Sequence, residues 1–124
     1  MIYGLGIDLA DVKRIKKAIE GSSSFTKKIF TESEIAKCEA VAAKYQCYAA
    51  RFAGKEAFLK ALGTGLRGKI KWTDIEIFND ELGKPELKLS DSAETAVSEI
   101  KAKSFHISLT HLQEYAAAVV IIEI

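Results

Sequence analysis

Residues 45–62 recur at helical spacing, which puts Tyr45, Tyr48, Phe52 and Leu59 on one stripe at about 100° per residue. Glu56 falls inside that stripe, roughly 40° from Phe52, and Lys60 follows one turn later at its edge. Residues 2–9 are short and apolar and read as a buried strand, with Asp8 at its exit and Gly4 and Gly6 admitting a close backbone. Asp11 then caps a helix carrying Val12, Ile15, Ala18 and Ile19 on one face and Lys13, Arg14, Lys16 and Lys17 on the other. A linker of turn residues (21–24) and a short apolar-basic segment (25–30) follow. Thr31 with Glu34 forms the capping-box pattern of a helix running toward residue 43.

Beyond the long helix, Gly63 is placed to end it in the left-handed conformation, with Thr64 and Gly65 just after. Residues 70–78 read as a strand, 79–85 as a turn and 86–89 as the returning arm of a hairpin. Ser90 is expected to cap a helix with Ala93, Ala96, Val97 and Ile100 at apolar positions. In residues 104–110, Phe105, Ile107 and Leu109 face one side, and His106, Ser108 and Thr110 the other. Residues 115–122 are apolar throughout and read as a central strand, with His111 at the turn before it. This order predicts one α+β domain over residues 1–124, a mainly antiparallel sheet packed on a long central helix.

A chain of 124 residues, 48% hydrophobic and 28% charged, supports a single core. Its net charge of +1 argues against a nucleic-acid or membrane-surface partner recognised by overall charge. No leader is expected from the first residues, and the longest apolar run, 115–122, is too short to span a bilayer. Cys38 and Cys47 show neither a CxxC motif nor a disulfide framework, which predicts reduced thiols in a cytoplasmic protein.

The polar groups in unusual places are Asp8, Glu56, Lys60, His106 and His111. A carboxylate on an apolar face needs a partner. For Glu56 that is either an ion pair with Lys60 or Arg51, or a metal or general-base role facing a cleft. Asp8 and Glu56 on separate elements suit one Mg2+, which takes one or two protein carboxylates plus water and substrate phosphates. Lys60 is placed to neutralise charge on a phosphoryl leaving group. His106 reads more readily as a structural histidine. The Gly63–Thr64–Gly65 loop serves either as a helix stop or as a phosphate cradle. The basic face of Lys13, Arg14 and Lys17 is either solvated or docks an acidic partner. No zinc-ligand spacing and no Ser-His-Asp arrangement stand out.

Three blocks in order, GIDLADVKRI, RFAGKEAFLKALGTG and ISLTHLQEYAAAVVI, resemble the short bacterial holo-(acyl-carrier-protein) synthases of the 4′-phosphopantetheinyl transferase superfamily. The resemblance implies transfer of the phosphopantetheine arm of coenzyme A to a serine of apo acyl carrier protein, in fatty acid biosynthesis, with release of adenosine 3′,5′-bisphosphate. It implies that Asp8 and Glu56 hold Mg2+, that Lys60 contacts the phosphates, and that Glu56 helps deprotonate the serine. It also implies that Lys44, Arg51, Gly63, Thr64, Gly65 and His111 line the nucleotide end, and that Lys13, Arg14 and Lys17 meet the acidic carrier protein. It further implies a homotrimer with the active site shared between neighbouring protomers. Two other readings compete with it. GIDL at a strand end also resembles ribonuclease-H-like metal nucleases, which are expected to show more clustered acids and a more basic surface. The other is a non-catalytic module binding an acidic partner, with Glu56 and Lys60 a structural pair.

Overall fold

The computed structural model describes residues 1–64 and 69–124. Strand β5 (Tyr115–Glu123) lies between β1 (Ile2–Asp11) and β4 (Ser104–His111), both antiparallel to it. Its apolar sequence follows from that position, since Ala116, Ala118, Val120 and Ile122 are all buried. A second, two-stranded sheet pairs β2 (Ile75–Asn79) with β3 (Pro85–Leu89). In the connecting turn the Asp80 carboxylate accepts from the amides of Leu82 and Lys84, and Gly83 adopts φ 85°.

Helix α1 (Val12–Gly21) starts at Asp11, whose carboxylate accepts from the Arg14 amide. The 25–30 segment lies largely within a further helix, α2 (Ser23–Ile29). Helix α3 (Glu32–Glu39) carries the complete capping box of Thr31 and Glu34, and it stops at Glu39, short of residue 43. Helix α4 (Lys44–Leu62) is the long central helix. A 3-10 turn (Trp72–Asp74) precedes β2, so the strand expected from residue 70 begins only at Ile75. Here the Asp74 carboxylate accepts from the Lys71 amide and bends the chain before the ladder starts. Ser90 occupies the N-cap of α5 (Asp91–Glu99) without a side-chain capping bond.

The apolar stripe read on α4 is narrower than what the helix buries. Ala49, Ala50, Ala53, Ala57 and Ala61 are buried along with Tyr48, Phe58 and Leu59, because the helix is packed both on the three-stranded sheet and against α3, α1 and β2. Gly54 is explained by packing: a Cβ there would lie 2.3 Å from the Ile77 side chain.

Two expectations are corrected. Strand β1 is buried on one face only, because α4 covers a single side of the sheet. Ile7 and Leu9 point outward at 68% and 66% exposure. Cys38 and Cys47 are joined in a disulfide rather than reduced. The end of α3 and the start of α4 fold back on each other, bringing the two Cα atoms to 5.4 Å, within bridging range. Among the described residues no helix is long and apolar enough to cross a membrane.

Candidate active site

The site is built on the seam between β1 and α4. Gly4 lies against the carbonyl of Ala61 and Gly6 against that of Ala57; a Cβ on either would sit 1.8 Å from that oxygen. Strand alternation makes Asp8 the next residue on the same face. It arrives beside the helix with its side chain only 15% exposed.

Lys60 closes the seam. Its Nζ donates to Asp8 Oδ1 at 2.9 Å and to the Ile7 carbonyl at 3.0 Å. The Lys60 side chain remains 54% exposed, so the contact opens to solvent. Glu56, one turn before Lys60, is half-buried. Burial first, then the negative charge of Asp8, push its carboxyl above the usual range, with Lys60 opposing. The structural alternative read for Glu56 is thereby corrected: neither Lys60 nor Arg51 forms an ion pair with it, since Lys60 is taken by Asp8 and Arg51 turns elsewhere.

Arg51 is 5% exposed, and it donates to Asn79 Oδ1 at 2.7 Å and to Cys47 Sγ at 3.3 Å. Lys44 pairs with Glu39 at 3.1 Å and lies over the Tyr45 ring. Gly63 ends α4 at φ 87°, its amide bonded to the Leu59 carbonyl. Thr64 lines a groove of about 530 Å³ with Lys69, Ser92, Thr95 and Glu99. Gly65 lies outside the described residues. His111 ends β4, exposed and in register with Ala116. Because β5 separates β4 from β1, His111 stands two strand spacings, roughly 10 Å, across the sheet from β1. Asp8, Glu56 and Lys60 are thus brought together within one chain, and His111, Lys44 and Arg51 are not. Lys13, Arg14, Lys16 and Lys17 are all exposed on α1, and Lys16 also lies over the Tyr45 ring. His106 bonds Glu123 at 2.5 Å, in keeping with a structural role.

The sequence reading missed a buried pair directly behind the site. Lys55 and Glu34 are both fully buried, with Nζ 2.7 Å from Oε1. Glu34 was legible only as a capping residue. The available signal was Lys55 itself, flanked by Ala53, Gly54, Ala57 and Phe58 on a helix with few exposed positions.

Among the described residues no three His, Cys, Asp or Glu side chains converge as a metal cluster. The two carboxylates nevertheless suit a hard divalent cation. Both offer hard oxygen ligands from facing elements, Lys60 being bonded to only one of them, and they would hold a Mg2+ whose remaining positions water and phosphate oxygens would fill.

Asp8 lies inside β1, which runs on to Asp11, rather than at the strand's exit; with Glu56 on the facing helix and Lys60 bonded to Asp8, it defines a site suited to phosphoryl-type transfer. The sequence profile of the 4′-phosphopantetheinyl transferase superfamily matches residues 4–120. The chain is 46% identical to the holo-[acyl-carrier-protein] synthase of Geobacter sp. (strain M21), with 99% of each covered, and 46% identical to that of Clostridium tetani, with 99% and 97% covered. Its fold is similar to the holo-[acyl-carrier-protein] synthase of Neisseria meningitidis, with a TM-score of 0.90 at 33% identity and 99% of both chains covered. It is also similar to the Helicobacter pylori synthase solved in complex with coenzyme A, with a TM-score of 0.85 at 29% identity over 96% of this chain and 99% of that one. The chain belongs to the 4′-phosphopantetheinyl transferase superfamily, among its holo-[acyl-carrier-protein] synthases.

Proposed function

We propose that this enzyme transfers 4′-phosphopantetheine from coenzyme A to a serine of apo acyl carrier protein, with Asp8 and Glu56 holding Mg2+ and Lys60 assisting. The observation that carries the site assignment is the Asp8–Lys60 contact beside a half-buried Glu56. The bound cation supplies charge neutralisation at the coenzyme A pyrophosphate. In the transfer, the serine oxygen bonds to the phosphorus that carries the pantetheine arm. The bridging P–O bond breaks, and adenosine 3′,5′-bisphosphate leaves with its electron pair. Glu56, through a water, takes the serine proton. The Lys60 ammonium offsets the charge that develops on the departing phosphate.

The nucleotide end is assigned to Lys44, Arg51, Gly63, Thr64, Gly65 and His111. Lys13, Arg14 and Lys17 form an exposed cationic face suited to orienting an acidic carrier protein. A homotrimer accounts for two features: the outer sheet face exposes Leu5, Ile7 and Leu9, and His111 lies across the sheet from Asp8. A neighbouring copy covers that face and brings its own His111 to this site. A cytoplasmic location and a part in fatty acid biosynthesis go with these substrates.

The test is intact-protein mass spectrometry of apo acyl carrier protein incubated with the enzyme, coenzyme A and Mg2+. A gain of one phosphopantetheine, lost with EDTA and in Asp8→Asn and Glu56→Gln, is the expected result. No gain from a folded sample with several carrier proteins overturns the reading.

A further inference from the structure

The Lys55 ammonium uses all three of its donors: Glu34 Oε1 at 2.7 Å, the Ile75 carbonyl at 2.6 Å and the Trp72 carbonyl at 3.1 Å. Glu34 is equally committed, with Oε1 accepting from the Thr31 amide and Oε2 from the Ile77 amide, each at 2.9 Å. The pair therefore joins α3, α4 and the 72–77 segment at one buried point. Burying two ions costs roughly what their attraction returns, so stability alone is a weak reason for such a pair.

Its position suggests another. Successive helix residues project about 100° apart, so anchoring Lys55 fixes the direction of Glu56. Gly54 abuts Ile77, whose amide Glu34 holds. On the opposite side, the carbonyls of Ala57 and Ala61 rest on Gly6 and Gly4. The glycine seam sets how close α4 approaches β1, and the buried pair sets how it is rotated. We propose that Lys55 and Glu34 are positioning residues for the transfer reaction, holding α4 in the rotation that turns Glu56 and Lys60 toward Asp8. This rests on the site assignment made above.

The test compares wild type with Glu34→Gln, Lys55→Met and the double variant Glu34→Gln/Lys55→Met. The double variant removes both charges of the pair together and remains testable if Lys55→Met alone fails to fold. Thermal unfolding establishes the folded fraction, and water-proton relaxation reads Mn2+ binding in the presence of coenzyme A. Steady-state transfer separates kcat from the KM for carrier protein. The expected result for the folded double variant is about 10- to 100-fold weaker Mn2+ binding and a comparable loss of kcat, with that KM little changed. Wild-type Mn2+ affinity and kcat in the folded double variant overturn the proposal, as does a loss that merely tracks the unfolded fraction. A wild type that transfers no phosphopantetheine overturns the site assignment first, and the proposal with it.

Discussion

Lys60 reaches across the strand–helix seam to Asp8, its Nζ 2.9 Å from Oδ1, and leaves Glu56 on its own helix without an ion pair among the described residues. One cation thereby serves two carboxylates, bonded to one and electrostatically coupled to the other. Lys60→Met is expected to lower kcat by about a hundredfold or more, because the charge developing on the leaving phosphate loses its ammonium. Its effect on the KM for carrier protein is expected to be small. Steady-state kinetics with a purified carrier protein checks both.

Glu56 gives the stability of the ligand-free enzyme an unusual pH dependence. Its carboxyl is raised in the folded state, so between the ordinary glutamate range and its raised value the folded chain holds the extra proton. Stability from this group is fully present below that window and is lost as pH rises through it, the reverse of a paired carboxylate. Glu56→Gln is therefore expected to unfold at a higher temperature than wild type at neutral pH, while losing Mg2+-dependent transfer. The two melting curves are expected to converge under acid. Thermal melts from pH 4 to 8 check the sign.

The outer face of β1 offers a test of assembly. Ile7→Glu with Leu9→Glu changes side chains that are 68% and 66% exposed in the single chain, so the fold of one protomer is expected to survive. On the proposed assembly, light scattering is expected to show a trimer for wild type and a monomer for the variant, with transfer falling alongside. An unchanged mass would mean that this face does not form the interface.

The cysteine pair is checked by alkylating the native protein without reductant, which is expected to leave both thiols unmodified. Reducing the bridge, or Cys47→Ser, is expected to cost roughly 2–3 kcal/mol through the loop between Cys38 and Cys47. Denaturant titration measures that loss.

What the sequence disclosed was mostly local. The Asp11 cap and the Thr31–Glu34 box are bonds made within three residues, so their patterns survive in one dimension. Asp8, Glu56 and Lys60 stood out because each interrupts an apolar pattern. Their pairing did not, since i, i+4 spacing suggested Lys60 for Glu56, whereas the approach of β1 gives Lys60 a nearer acceptor. The Cys38–Cys47 bridge and the Lys55–Glu34 pair depend on how α3 returns against α4, and no short-range pattern reports that. The open face of β1 was hidden for a related reason. Apolar residues on both sides of a strand look the same whether the second side meets a helix or another copy of the chain.

Gly4 and Gly6 face the backbone of α4 and set the depth to which it settles on β1. The catalytic spacing of this enzyme is therefore recorded at positions that carry no side chain. Variation there would act as a change of gauge for the whole site: a single methyl group added to either strand residue would move every group on the helix at once, keeping each reactive residue in the sequence and carrying Glu56 and Lys60 away from Asp8.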